Sequence, residues 1–431
     1  MSNAPPATSP SWPLWQRVAF RFIAVALTLL IVPDLIAGSV PIVGRAMNGI
    51  VELSNAQLFH VRPTLIQPNG SGDTSWAWAR LWLVLLVAAG AAVVWSIVDA
   101  RRQAYPVASY WLRTLLRYQL ASAALTYGII KVFTQQMAFP TLSQLSTPLG
   151  DLLPMRLSWL FIGYSTPYQM FCGVMEVLAG LLLLPRRTVT VGLVLAAATF
   201  TNVLLINLAY DVPVKLYASQ LFLSSVVLLA MDAPRLTRGL LLNQPIGRTA
   251  LYDPPSDSTR GRIIRGLLKL VILVVILIIP LQNSWQRAQS AAKPVRAVPL
   301  AVGVYEVQRF VRNHDTIPAL SSDSLRWRDV IIDNAMQGSV GSTDTAFWQR
   351  YRRGYFRYKA DTSAHLLTVW RTSVTQDSTF LFTARYVVRD STRAQLWTTL
   401  HGDSLYVELV RSPRHFQLAE RQFHWLSEYN R

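Results

Sequence analysis

Two apolar segments of this chain hold opposite charges in places where charge is expensive. Residues 168–184, YQMFCGVMEVLAGLLLL, carry a single acidic side chain, Glu176, near the middle, and LTYGIIKVF carries Lys131. A carboxylate halfway across a bilayer costs several kcal/mol if ionised and unpaired, so it must be neutral, paired or turned toward a polar cavity. Gly173, Glu176 and Gly180 fall at i, i+3 and i+7 and share one helix face. Small residues on that face admit a close neighbouring helix, which directs Glu176 into a bundle and away from lipid. Lys131 lies one turn from Tyr127 and Gly128 and one turn before Gln135, so these share a face as well. Asp211 and Lys215 flank a short break, YDVPVK, and Asn202 and Asn207 lie in the apolar run before it. The chemistry this set supports is proton exchange at Glu176 and Lys131. Tyr127, Gln135, Asn202, Asn207, Asp211 and Lys215 are the candidate ligand-binding side chains of a polar pocket. Blander roles stand beside it. A terminal lysine snorkels to headgroups, Asp211 and Lys215 can pair across their turn, and the asparagines can hydrogen-bond between helices.

The elements that position these residues are membrane spans. The chain has 431 residues, 52% hydrophobic and only 15% charged, with a mean hydropathy of +0.28. That composition belongs to membrane proteins. Hydropathy predicts seven spans, at about 18–37, 78–98, 111–133, 168–184 (beginning as early as Trp159), 189–209, 216–231 and 266–282. A polar loop rich in Pro, Gly and Asn is expected between the first two. Arg101, Arg102, Arg113, Arg117, Arg186, Arg187, Arg235, Arg238 and Arg248 fall on one side of these spans, which is the positive-inside pattern. The net charge of +18 is thereby explained by topology, and nucleic acid is excluded as a partner.

After residue 300 the pattern changes to period two, in GVYEVQRF, YFRYKA, HLLTVW, TFLFTARYVV, AQLWTTL and SLYVELV. Turn signals at Asn313-His314-Asp315 and His401-Gly402-Asp403 separate short alternating strands, which predicts an antiparallel all-β soluble domain, a sandwich or small barrel. Its aromatic residues, among them Trp327, Trp348, Tyr358 and Trp397, are expected as core. The resulting organisation is a tail over 1–17, a transmembrane domain over 18–284, a linker over 285–300 and an extracytoplasmic β-domain over 301–431.

Several chemistries are ruled out. Cys172 is the single cysteine, which removes intramolecular disulfides and dithiol redox chemistry. None of the six histidines lies in a span, so neither haem nor metal is expected in the membrane domain. No Gly-rich nucleotide loop is present.

The LTYGIIKVF segment, with Gly128 and Lys131, precedes GVMEVLAGLLLLPRRTVTVG, with Gly173, Glu176, Gly180, Arg187 and Gly192. In this order the two segments resemble the DoxX-like family of bacterial membrane proteins. The resemblance covers about a quarter of the chain. It implies a four-helix membrane unit at about 111–231, in a family linked to quinone or sulfur redox metabolism. A more distant resemblance is to the membrane domain of vitamin K-dependent gamma-carboxylase-like proteins, through Tyr127, Gly128 and Lys131. There Lys131 would be a base beside a reduced quinone, but where a Phe-His pair is expected Phe200 is followed by Thr201. These resemblances imply a quinone- or lipid-interacting redox accessory protein of the bacterial inner membrane. The alternative is a non-catalytic scaffold whose β-domain binds a periplasmic or membrane protein. With an odd number of spans the amino terminus is cytoplasmic and the β-domain periplasmic. A reporter fused after Arg431 should therefore be active only when exported, and one fused at Pro245 only in the cytoplasm; the opposite pattern of activities would invert this topology.

Overall fold

The structure, a computed structural model, describes residues 11–245, 258–291, 300–319, 326–334, 336–342, 351–371, 379–421 and 423–426. The first ten residues, the basic stretch around Arg248, linker residues 292–299 and Trp348 lie outside the described residues. The chain divides into two compact units, Met1–Gln136 with Pro167–Ala288, and Met137–Thr166 with Gln289–Arg431.

The first unit is helical. Its elements are α1 (Leu14–Ala37), α2 (Pro41–Ser54), α3 (Ser75–Val98) and α4 (Pro106–Val132). After a segment that belongs to the second unit, with α5 (Leu142–Leu145) and α6 (Pro154–Tyr164), come α7 (Thr166–Leu183), α8 (Val189–Ala209) and α9 (Lys215–Leu236). The last helix begins as α10 (Thr259–Leu273), passes through a π turn at Val274–Ile278 and ends as α11 (Ile279–Ala291). Among the described residues six helices are long and apolar enough to cross a membrane. Their apolar windows are only 6 to 33% buried. Apolar surface left outside a core on this scale points to a bilayer as its solvent.

Seven spans were expected and six helices qualify. The difference is α4, which forms as a 27-residue helix but interrupts its apolar run with Arg113, Arg117 and Lys131. The expected loop after the first span instead contains α2. Pro41 starts it at the first helical position. Val43, Met47 and Val51 recur every fourth residue, and Met47 and Val51 pack beside Trp76 and Ala79 of α3. Its Pro and Gly content hid that periodicity. The expected linker from residue 285 is helical as far as Ala291, because WQRAQSA is made largely of residues that tolerate or favour helix and the first breaker is Pro294.

The second unit is a closed barrel. Strands β1 (Gly303–Arg312), β2 (Asp315–Thr316), β3 (Asp329–Asp333), β4 (Gln337–Gly341), β5 (Arg353–Asp361), β6 (Leu366–Arg371), β7 (Phe380–Val388), β8 (Arg393–Leu400) and β9 (Asp403–Arg411) pair in chain order. A short helix, α12 (Gln417–Glu420), follows. β2 is a two-residue flap on β1. The other eight strands close when β1 pairs antiparallel with β9, in a register that shifts at a bulge between Val307 and Arg309. Both sequence turns behave as expected: Asn313-His314 and His401-Gly402 each adopt two consecutive positive φ angles, which suit the twist of a tight hairpin. The Arg312 guanidinium and Asn313 amide hold the Asp403 carboxyl below its usual range beside this turn.

Eight strands give an interior that side chains can fill. Val307, Phe310, Trp327, Val340, Phe356, Val369, Phe382, Leu396 and Val407 do so as one cluster. Trp327 and Tyr358 are core, as expected, whereas Trp397 is exposed and Trp425 almost wholly so. Burial pushes the Tyr358 phenol up to about 12.

The segment between α4 and α7 folds with the barrel. Thr141 and Gln144 form a capping box that nucleates the single turn of α5. Ser143, fully buried on that turn, donates to Asp333 Oδ2 at 2.5 Å and lies 2.6 Å from Ser339 Oγ. Arg353 Nε donates to the same serine, Ser339, at 2.8 Å, and Arg353 pairs with Asp329. Ser143→Val should leave Asp333 without its hydroxyl donor and destabilise this unit by about 1.5–3 kcal/mol. Denaturant unfolding followed by the β-sheet circular-dichroism band measures this, and a midpoint equal to wild type would show that Ser143 does not hold the segment.

Candidate functional site

Lys131 and Glu176 meet between α4 and α7. Pro106 occupies the first turn of α4, where its missing N–H costs nothing. The helix ends with Thr134 at φ 53°, a left-handed conformation that costs a β-branched residue about 1–3 kcal/mol. The turn it makes closes with the Gln135 N–H donating to the Ile130 carbonyl at 2.9 Å. Ser165 separates α6 from α7 in extended conformation, ψ 92°. Pro167 has no N–H to extend the hydrogen-bond ladder of α6 and its ring clashes with a carbonyl four residues back, so the helix breaks here and Pro167 falls in the first turn of α7 instead.

The two helices cross antiparallel at their glycines. A Cβ on Gly128 would lie 2.8 Å from the Gly173 carbonyl and 2.9 Å from Glu176 Cβ. A Cβ on Gly173 would lie 2.7 Å from the Gly128 carbonyl and 2.8 Å from Lys131 Cβ. Further along, Gly180 faces Leu125 and Ala121. Each helix therefore offers glycine at one position and charge three residues later. Side chains on a helix lean toward its N-terminus, so in an antiparallel pair these two lean toward each other.

The result is a buried ion pair. Lys131 Nζ lies 2.7 Å from each Glu176 oxygen, with Lys131 8% and Glu176 3% exposed. Pairing of this quality offsets much of the desolvation of both charges, but replacing such a pair by apolar residues is often neutral or stabilising. Lys131 Nζ also lies 5.8 Å from the centre of the Tyr127 ring, and that ring is 6.4 Å from the ring of Tyr217 on α9.

Of the other predicted residues, Tyr127 thus lies beside this pair, Asp211 and Lys215 form a second one, and Gln135, Asn202 and Asn207 are placed elsewhere. Gln135 turns to α11, where Nε2 donates to the Ser284 carbonyl at 2.7 Å. Asn202 is exposed on α8, and Asn207 is buried near its end, with its carbonyl accepting from the Val212 N–H. Asp211, left-handed and exposed, pairs with Lys215 at 2.7 Å. Lys215 also lies 3.7 Å from Asp73, and the Asp73 carboxylate accepts the Lys215 and Leu216 backbone N–H groups at 2.8 and 2.9 Å. Asp73 thus caps α9, where a carboxylate meets both unsatisfied donors and the positive end of the helix dipole. The Asp211–Lys215 pair belongs to that cap; the bonds of Lys131 and Glu176 are made to each other.

Sequence reasoning missed Asp73, because a cap contributed from 142 residues away leaves no local pattern. It also missed Arg21, which is 1% exposed and donates to the Tyr105 hydroxyl, Ser96 Oγ and the Asp99 carbonyl. An arginine in the first span on the basic side reads as a topology signal, and only the fold shows that it ties α1 to the end of α3.

Over 130 residues, 30% of this chain and 82% of the relative, the sequence is 33% identical to a Bacillus subtilis (strain 168) protein described as uncharacterized protein YwoB. This chain belongs to the YwoB family. No protein-family model matches it, and no solved structure does. The YwoB relative's description states no activity, so the chemistry of this YwoB-family member has to be argued from its own residues.

Gly128→Ala and Gly173→Ala each place a methyl group within 2.8 Å of backbone on the facing helix, and backbone cannot swing aside. Each should lower stability by about 1–3 kcal/mol, the usual cost of overpacking, whereas Gly90→Ala on α3, with open space around it, should not. Thermal unfolding of the three purified variants checks this, and equal melting temperatures would mean that the helices are not in glycine contact.

Proposed function

We propose that this is a DoxX-like multi-pass protein of the bacterial inner membrane, in which the 27-residue α4 makes a seventh crossing, so that the amino terminus is cytoplasmic and the barrel periplasmic. In this reading the Lys131–Glu176 pair exchanges protons at a quinone- or lipid-interacting site. The observation that carries the proposal is the pair itself. Opposite charges, both almost fully buried between two apolar helices, are expensive to keep, and intramembrane charges mark sites of function by default. The donor set suits a quinone or a polar headgroup: an ammonium and the neighbouring Tyr127 phenol for an oxygen, and a carboxylate for a proton. Both carboxylate oxygens are already engaged by Nζ, so a ligand must compete with the pair or approach along Tyr127. A bound quinone would supply the redox chemistry. The chain's own part is to hold a proton on Glu176 when Lys131 is drawn away and to release it when the pair re-forms.

A second reading is a non-catalytic scaffold whose barrel binds a protein partner. It is favoured by the closed, bidentate geometry of the pair, which also serves as a bolt between helices, and by a barrel interior occupied by its own side chains.

A double-mutant cycle separates the two. Glu176→Gln and Lys131→Met should each destabilise by about 3–5 kcal/mol, since each strands a buried charge. The double variant should recover most of that loss. In the site reading the recovered double variant no longer retains quinone or lipid on purification, as read by native mass spectrometry. If it keeps the same bound molecules as wild type, the pair is only a bolt and the scaffold reading stands.

A further inference from the structure

A second polar site lies toward the other end of α4, formed by the turn between α7 and α8 and the last turns of α9. Arg113 and Arg117 are one turn apart on α4 and face a cavity of about 100 Å³ together with Arg186 and Arg235. From Arg117 to Lys131 is fourteen residues, or roughly 21 Å of helix at a rise of ~1.5 Å each, so this cavity is separate from the Lys131–Glu176 pair and its argument is independent of that reading.

The cavity is rich in cations. Four guanidinium groups line it against one carboxylate, Asp232. That carboxylate is already engaged: it accepts from Thr190 Oγ1 at 3.1 Å and lies 3.6 Å from Arg235 Nη1. Arg113 spends Nη2 on the Met231 carbonyl at 2.9 Å. Arg186 donates to the Tyr110 hydroxyl at 3.3 Å. Two buried donors remain: Nε of Arg113 and Nε of Arg117 have no hydrogen-bond partner among the described residues. A buried N–H on a charged group is costly to leave unmade, and two beside one cavity define what is missing, an anionic acceptor. The planar fork of arginine matches phosphate oxygens.

We infer that this cavity binds a phosphate group, held by Arg113 and Arg117, with Arg186 and Arg235 completing the positive field. A basic pocket between apolar helices at their basic end is where an anionic lipid headgroup would sit. A free phosphate would meet the same donors.

The test uses the full-length protein in phosphatidylcholine nanodiscs, in phosphatidylcholine nanodiscs containing phosphatidylglycerol, and in phosphatidylcholine nanodiscs with inorganic phosphate added. Native mass spectrometry reads retained lipid, and thermal unfolding reads protection. Phosphatidylglycerol should be retained and should raise the melting temperature. Arg117→Gln should weaken this about tenfold or more, the worth of one charge-assisted contact. Arg117→Lys, which keeps charge but loses the fork, should fall between and guards against a variant that fails to fold. Arg101→Gln, outside the cavity on the same basic side, should bind as wild type does. Protection by inorganic phosphate with the same dependence on Arg117 would assign the site to a soluble phosphate, and protection by the lipid alone to a headgroup. The inference is overturned if neither protects, which leaves the cavity to water, or if Arg101→Gln weakens binding as much as Arg117→Gln, which leaves only diffuse surface charge.

Discussion

The close approach of α4 and α7 at Gly128 and Gly173 is the constraint on which the helical unit depends. Without it the backbones would stand farther apart and Lys131 Nζ could not contact both Glu176 oxygens at 2.7 Å. In lipid no hydrophobic force draws apolar helices together, so small residues that admit close packing and polar groups that bond across the interface have to supply the association. Here the two devices are coupled. The glycines create the proximity that makes the pair short, and the pair penalises any separation that would expose a charge to hydrocarbon. Another close approach, of Gly192 on α8 to the backbone at Leu182 and Leu183 of α7, sets these two helices tightly against each other across the turn between them.

How much of this was legible depends on whether the cause was local. The Gly-x-x-Lys and Gly-x-x-Glu spacings announce two helix faces, each pairing a small residue with a charge, and that is enough to direct both charges inward. The spacing does not say that the helices run antiparallel with their glycines in register, which is what turns two inward charges into one pair. Period-two strands and the Asn-His and His-Gly turns made an all-β domain readable. Closure through β1 and β9 was not, because both sandwich and barrel bury alternate residues and the decision lies in a pairing between the first and last strands. Asp211 and Lys215 looked like members of the pocket since they are charges at a helix end. Asp73 makes them part of a cap, and no window of sequence around residue 211 contains Asp73.

The segment between α4 and α7 shows the same limit from another side. Its hydropathy is intermediate, and α6 carries enough Leu, Trp, Phe and Ile to read as the start of a span. Two features decide otherwise. The extended Ser165 ahead of Pro167 breaks the helix, and Ser143 finds its partners on β3 and β4, 190 and 196 residues away. A serine with no exposure at all is a poor residue for a polar loop and a good one for the centre of a buried network with Asp333, Ser339 and Arg353. Such networks are worth keeping only when every member is satisfied, which makes α5 an integral part of the barrel unit although it precedes β1 by some 160 residues.

Charge placement carries two messages in this chain, and composition merges them. Arginines on one side of apolar helices establish orientation through a statistical bias, and for that purpose any exposed position serves. Arg21, Arg113 and Arg117 are not so placed. Arg21 is buried with hydroxyl and carbonyl acceptors from two other segments, so its charge is answered within the fold. Arg113 and Arg117 keep a buried N–H each without an acceptor among the described residues, and the nearby carboxylate of Asp232 is taken up by Thr190 and Arg235. Orientation alone gives no reason to bury a guanidinium N–H, since the bias acts equally through arginines in water. A buried donor is stable only with an acceptor. Arg21, whose donors are met within the fold, therefore differs in kind from Arg117, whose buried Nε has no acceptor among the described residues and is the donor the proposed phosphate would meet.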